Sequence, residues 1–466
     1  MLFPTIQFAV FFLLVLVASW LLMPRPIRWK PFILLASYVF YAAWDWRFVF
    51  LLLAVTVVSQ IGATVIARIP YERERRRMLI ITLVFDLGIL GWFKYYGFFA
   101  TSLANLLGTV GLPSPLPLLQ VILPVGISFF TFQAISYVMD VYRGDIEPAK
   151  PIDLAVYLAF FPQLVAGPIV RPTEFLPQLA RPRDPRRVEG ARGFSLIAGG
   201  LFKKVVVANL LATQLVDPVF STPSAHSAGE IILAVYGYAV QIYADFSGYT
   251  DMAIGCALLL GFTFPDNFNR PYSAVSLQDF WRRWHMTLSR WLRDYLYIPL
   301  GGNAGGQRRT ERNLLITMML GGLWHGAAWT FVVWGAIHGL GLAFERHRFA
   351  DARTWSANPW VSRLITFHLV CLGWVFFRAD SLSSAGTLLG RMVTAWGPAP
   401  LVRPVVVVVI VAALAAQFIP RGVGERVQVA FSHYSPLAQG AALAAVLLIT
   451  DALGPQGVAP FIYFQF

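Results

Sequence analysis

Charge is scarce in this 466-residue chain. Asp, Glu, Lys and Arg together make up 13% of it, where an ordinary soluble domain carries about 25%. No long polar stretch could fold by itself outside a bilayer, and hydrophobic residues reach 57%. The composition therefore describes a polytopic, all-α integral membrane protein, read as one membrane-embedded domain over residues 1–466. Cysteine is nearly absent: Cys256 and Cys371 both lie in apolar sequence, with no CxxC and no Cys/His cluster. That excludes a disulfide framework and a zinc site, so no metal is expected and both thiols read as small packing residues.

Other absences narrow the chemistry. No HExxH, no GxSxG elbow and no GK[ST] phosphate loop occurs, which removes the usual signals for metalloproteolysis, covalent acyl-enzyme hydrolysis and nucleotide phosphate binding. No fixed-period or inverted repeat is evident, against a secondary transporter. Basic residues exceed acidic ones, 37 to 24, but they sit in short loops between apolar runs and form no solvated block with interleaved aromatics. Nucleic-acid binding is excluded on that ground, and the positive-inside rule accounts for the excess. The N-terminus has no basic stretch before its first apolar run, so Thr5 to Met23 is expected to be a retained span rather than a cleaved signal.

What the chain does contain is apolar sequence in runs. A hydrocarbon core about 30 Å thick needs roughly 20 residues of helix. Runs at Thr5 to Met23, Pro31 to Ala43, Trp46 to Ala67, Met78 to Ala100, Ile152 to Gly167, Ile231 to Ala244, Met252 to Phe264, Leu314 to Phe344, Pro359 to Phe377, Pro404 to Ile419 and Leu437 to Leu453 suggest about ten or eleven spans plus re-entrant or interfacial helices. Basic loops at Pro24 to Lys30 and Arg68 to Arg77 fall on one side, the cytoplasm. Pro124 and Gly126 interrupt another apolar segment, a pattern tolerated at membrane depth where protein or a cavity covers the freed backbone. The linker from Pro168 to Arg192, with Lys203 and Lys204 behind it, is the most basic. It reads either as a topology signal or as a docking surface for an anionic acyl donor.

Leu314 to Phe344 carries no Asp, Glu, Lys or Arg, yet it holds His325 and His338. An ionisable group in such a run is expected to face a protein interior or a wet cavity. Thirteen residues separate the two, so on one continuous helix they would point about 140° apart, and only a helix break could bring them to one pocket. His325, among Gly321, Gly322, Trp324 and Gly326, has room for a substrate. His338, with Gly339 and Gly341, reads as helix packing of the small-residue kind. Leu277 to Ile298 is expected to be one amphipathic helix at the membrane interface, with Trp281, Trp284, Leu288, Trp291 and Tyr295 on one stripe and Asp279, Arg282, Arg283, Arg290, Arg293 and Asp294 opposite. His285 would lie at the border of the two faces. Asp140, Asp245 and Asp251 are embedded carboxylates that could cap a broken helix near Gly248, pair with an Arg or orient a histidine. A neutral buried imidazole suits general-base work on a hydroxyl, hence direct acyl transfer between two bound substrates.

The segments PVGISFFTFQAISYVMDVYRG, FFPQLVAGPIVRP, YADFSGYTDMAIG, FNRPYSAVSLQDFWRRWHMTLSRWLRDYLYIPLGGN, GGLWHGAAWTFVVWGAIHG and GWVFFRAD together resemble bacterial membrane-bound O-acyltransferases, the MBOAT family, and its alginate-acetylating branch in particular. The resemblance runs from the first span to the aromatic C-terminus FIYFQF. It implies helices around a central tunnel in the bacterial inner membrane, a donor arriving from the cytoplasm, and an acyl group delivered outside. It also implies that the LWHG histidine, His325, is catalytic and that the WRRWH histidine, His285, is a second functional position; the two are the catalytic candidates. Trp324, Trp281, Arg282 and Arg290, beside them, are the substrate-binding candidates. No bound cofactor is implied; acetyl-CoA is the expected donor substrate, and a secreted SGNH-type acetyltransferase acting on polysaccharide is the expected partner. Relatives of the same fold move D-alanyl groups to teichoic acid, and the shared histidines do not separate the two activities. A proton-relaying channel and a scaffold that merely recruits a secreted enzyme stand as rivals from other classes.

Overall fold

The computed structural model describes residues 3–117, 119, 121–165, 167–348 and 354–453; the aromatic C-terminal segment lies outside them. Among the described residues all regular structure is helical. The chain forms two compact units, residues 1–189 with 256–264, and residues 190–255 with 265–466.

The first unit holds α1 (Ile6–Leu22), α2 (Pro26–Ala42), α3 (Arg47–Arg68), α4 (Glu72–Leu90), α5 (Tyr96–Thr109), α6 (Ile127–Arg143), α7 (Pro151–Ala159) and α8 (Pro172–Ala180). A π-helical turn, Gly91–Tyr95, joins α4 to α5 without a break. The interrupted segment resolves as anticipated: Gly126 takes a left-handed conformation (φ 78°) and α6 starts immediately after it. The run from Ile152 to Gly167, short enough to be re-entrant rather than a full span, breaks at Phe160, where the backbone leaves helical geometry (φ −55°, ψ 107°). Pro162 lacks the N–H that would continue the ladder. The Ser37 hydroxyl accepts the freed Phe161 N–H at 3.2 Å, which is how a break survives away from water.

In the basic linker, Arg183 lies flat between Trp29 (3.7 Å) and Phe262 (4.2 Å), and burial pulls its guanidinium down to about 9. It is part of the unit's packing, while Arg181, Arg186 and Arg187 face outward.

The second unit holds α9 (Gly190–Phe202), α10 (Ala228–Leu259) up to Gly255, α11 (Leu277–Trp281), α12 (Met286–Leu292), α13 (Gln307–His325), α14 (Trp329–Arg348), α15 (Pro359–Arg378), α16 (Leu382–Thr394), α17 (Pro404–Ala416), α18 (Arg421–Ser432) and α19 (Pro436–Leu453). Three sequence expectations change here. The runs at Ile231 and Met252 belong to one 32-residue helix, α10, because the intervening Asp245 and Asp251 are neutralised rather than exposed in a loop. Leu314 to Phe344 is two antiparallel helices, α13 and α14, folded at Gly326 to Ala328. The supposed interfacial helix is broken after Trp281.

Stretches long and apolar enough to cross a bilayer number five among the described residues: Arg47–Arg68, Glu72–Thr109, Gly190–Ser221, Pro359–Arg378 and Pro436–Leu453, with shorter apolar helices at Ile6–Leu22 and Pro404–Ala416. The chain is thus a multi-pass membrane protein.

Lys203 and Lys204 are not part of a docking surface. Lys204 forms an ion pair with Asp245, both 3% exposed or less, and Lys203 Nζ lies 2.5 Å from Asp251 Oδ2. The helices carrying these pairs approach so closely that a Cβ on Gly200 would sit 2.5 Å from the Gly248 carbonyl oxygen. Elsewhere in the unit, buried Glu230 accepts the N–H groups of Ser227 (3.1 Å) and Leu401 (3.0 Å), tying the start of α10 to the segment before α17.

A buried pair costs far more when halved than when removed. Lys204→Met or Asp245→Leu alone should lower stability by about 3–5 kcal/mol, and Lys204→Met/Asp245→Leu should recover most of it. Thermal unfolding of the detergent-purified protein reads both; equal losses in single and double variants would contradict the pairing.

Candidate active site

His325 is the last residue of α13, and its position follows from how α13 meets α14. A Cβ on Gly322 would strike the Phe331 carbonyl, and one on Gly335 the Met318 carbonyl. Only hydrogen at these positions lets the two backbones touch, so the three-residue turn places His325 against the start of α14. Its ring lies 5.0 Å from Trp334, 5.0 Å from Trp324 and 5.2 Å from Phe377, centre to centre. It is 2% exposed.

His285 is the residue at the break between α11 and α12. It is fully buried, and it adopts a left-handed conformation, φ 42° and ψ 53°, which a side-chain-bearing residue holds only when its surroundings enforce it. Its ring centre is 6.5 Å from that of His325, 5.9 Å from Trp324 and 4.7 Å from Phe246. The two imidazoles are too far apart for their nitrogens to bond directly. A single hydroxyl or carbonyl between them could reach both.

The fold that breaks at His285 is fixed from several sides. Ser276 Oγ caps α11 through the Asp279 N–H at 3.0 Å. Glu345, near the end of α14, accepts the N–H groups of Leu277 (2.6 Å) and Gln278 (3.0 Å), so a carboxylate from a distant segment satisfies the exposed donors of that helix start. Asn267 binds the backbone after the break: its carbonyl oxygen accepts the Met286 N–H at 2.9 Å.

Beside the break opens a cavity of about 820 Å³. Arg282, Arg290, Arg293 and Arg346 line it, with Glu345, Trp281 and Met286. Arg293 is held by Asp294 at 2.5 Å. The lining is rich in cationic fork-shaped donors, which suit phosphate or carboxylate oxygens. Trp281, Arg282 and Arg290 therefore fall together on this wall, whereas Trp324 lies by the two histidines. Trp281 contributes its ring to the wall, but its indole N–H donates to His338 Nδ1 at 3.3 Å. His338 is fully buried behind Trp334, consistent with its reading as a packing residue. Asp245 and Asp251 are ion-paired and take no part in the histidine site. Sequence reasoning missed Asn267, Phe246, Trp334, Phe377 and Glu345: each is an ordinary residue in sequence whose place depends on a remote partner.

The family model for membrane-bound O-acyltransferases matches residues 143–378, a span that contains both histidines, Asn267 and the whole cavity wall. The chain belongs to the MBOAT family. It is thus an O-acyltransferase by family, and its relatives agree. A protein named "probable alginate O-acetylase" from Pseudomonas aeruginosa is 46% identical over 364 residues, covering 77% of this chain and 69% of that one. The peptidoglycan O-acetyltransferase of Helicobacter pylori is 39% identical over 400 residues, 79% of this chain and 74% of its own. The teichoic acid D-alanyltransferase of Bacillus subtilis is 28% identical over 271 residues, 54% of this chain and 68% of its own. In this MBOAT chain the LWHG histidine ends a helix, and the WRRWH histidine sits on a helix break.

If glycine contact places His325, overpacking should unseat it. Gly322→Ala is expected to cost about 1–3 kcal/mol and to abolish transfer, while Gly199→Ala, where nothing lies within 4 Å, should be neutral or slightly stabilising. Unfolding midpoints and acyl transfer measured on both variants check this; equal tolerance at the two sites would refute the close-contact account.

Proposed function

We propose that this chain moves acetyl groups from a cytoplasmic donor across the inner membrane for O-acetylation of an extracytoplasmic polysaccharide. The observation that carries the reading is the pair of buried imidazoles, 6.5 Å apart, beside a cavity walled by arginines. Its donor is an acyl thioester with an anionic handle, acetyl-CoA, whose phosphates suit Arg282, Arg290, Arg293 and Arg346. Trp281 lies against the thioester arm and Trp324 against the acyl group. The acceptor oxygen attacks the thioester carbonyl carbon; the new C–O bond forms as C–S breaks. The proton of the acceptor hydroxyl passes to the imidazole pair and from there to the leaving thiolate sulfur, so the pair is neutral again at the end of the cycle. His325 and His285 are the catalytic residues in this scheme, His325 serving as base or relay.

The fold reading that accompanies it keeps residues 1–466 as one membrane-embedded domain, with ten or eleven spanning helices around a central tunnel. A secreted SGNH-type acetyltransferase would place the group on the polymer. The greater identity to the acetylating relatives, 46% and 39% against 28% for the D-alanyl relative, favours acetate over D-alanine.

The acetyl content of cell-envelope polysaccharide is the direct test. With His325→Ala protein at normal membrane abundance it should fall at least 100-fold, since positioned acid–base catalysis contributes about 10²–10⁴. Unchanged acetylation would remove the catalytic role, and acetylation by a variant that folds but cannot transfer would point to a recruiting scaffold instead.

A further inference from the structure

We propose that Asn267 is a positioning residue for acyl transfer: its side-chain oxygen holds His285 as the Nδ1–H tautomer and leaves Nε2 as the atom that accepts the proton. The proposal rests on the catalytic reading of His285 given above.

The backbone N–H of Thr287 points to Asn267 Oδ1 at 3.1 Å, and a backbone N–H can only donate, so the contacted atom is the amide oxygen and not the amide nitrogen. The Thr287 hydroxyl binds the same oxygen at 2.9 Å. That oxygen also lies 3.2 Å from His285 Nδ1. Two acceptors cannot bond each other, so Nδ1 carries the hydrogen. A neutral imidazole has one such hydrogen, and Nε2 therefore presents its lone pair.

The site around that lone pair is closed and otherwise unassigned. Asn267 and Thr287 are each 1% exposed and His285 is fully buried. Among the described residues Nε2 has no hydrogen-bond partner, although a buried polar nitrogen ordinarily has one. An acceptor hydroxyl would supply it. The backbone adds a second restraint: Met286 N–H donates to the Asn267 carbonyl at 2.9 Å and Asn269 N–H to the Arg283 carbonyl at 2.8 Å. These bonds hold the left-handed turn at His285, so one asparagine sets both the ring's position and its protonation pattern.

His338 provides an internal contrast. Its Nδ1 accepts the Trp281 indole N–H, and indole only donates, so its hydrogen resides on Nε2. The two buried histidines are thus fixed in opposite tautomers by their neighbours, and of the two only His285 is set to accept at Nε2.

The test uses membranes from cells expressing the full chain with its native acceptor, supplied with radiolabelled acetyl-CoA across a range of pH. Asn267→Asp keeps the accepting oxygen but adds a negative charge beside Nδ1–H, which favours the imidazolium. The acid limb of the rate profile should then move up by about 1–2 pH units, because the basic form of a ring with a raised pKa is lost sooner as pH falls. Asn267→Leu should lower the maximal rate at least tenfold with KM for acetyl-CoA little changed, and Asn267→Ser, which can still accept, should restore part of it. Folded protein is quantified by size exclusion so that rates are per folded molecule. An unmoved acid limb in folded Asn267→Asp, or Asn267→Ser behaving as Asn267→Leu, overturns the proposal while His285→Ala remains inactive. Full activity of His285→Ala would instead overturn the catalytic reading on which it rests.

Discussion

Backbone contact between α13 and α14 is the constraint on which the histidine site depends. Helices in an apolar medium gain little from hydrophobic burial against each other, because lipid is as apolar as a leucine side chain. Close packing and internal hydrogen bonds must hold them instead. Gly322 and Gly335 face carbonyl groups across the hairpin at distances that no Cβ could accept. This contact lets a three-residue turn follow His325 directly, and it sets the imidazole among Trp324, Trp334 and Phe377. A bulkier interface would push α14 outward and open the enclosure.

Satisfaction of polar groups away from water explains most of what surrounds that hairpin. Three chain breaks within the apolar units have a side-chain partner: Ser37 at Phe161, Glu345 at the start of α11, Asn267 after His285. Half-buried Lys203 and buried Lys204 each have a carboxylate on α10. These interactions add modest net stability one by one. Their larger effect is to forbid alternatives, since any shift that separates a buried donor from its acceptor leaves both unsatisfied.

Much of this was legible in sequence, and the part that was not has a common cause. Composition and apolar runs identified a multi-pass helical membrane protein, and the histidines of the LWHG and WRRWH motifs, singled out from the sequence, lie with ring centres 6.5 Å apart. Periodicity failed where a local break is caused by something distant. The helical wheel for Leu277 to Ile298 assumed uninterrupted helix and put His285 at the border of its two faces; the helix breaks after Trp281, and the backbone on either side is bonded by Asn267, ten residues before that segment, and by Glu345 in α14. The same assumption placed His325 and His338 about 140° apart on one helix, while the chain in fact reverses at Gly326 to Ala328. Conversely, Asp245 and Asp251 looked like an interruption between two spans, and their lysine partners lie some forty residues earlier.

The opposite tautomers of His285 and His338 show how two identical residues in different surroundings acquire different chemistry. Neither ring is given its role by its own sequence neighbours. An amide oxygen fixed by a backbone N–H sets one, and an indole N–H sets the other. Because both partners are themselves locked by packing or by further hydrogen bonds, neither ring can exchange tautomers without breaking a buried contact. A proton acceptor that must wait for rearrangement adds that cost to every turnover, whereas one already held in the accepting form does not. The left-handed backbone of His285 and the tautomer of its ring are held by the same asparagine, and a substitution that relieved the strain would also release the tautomer.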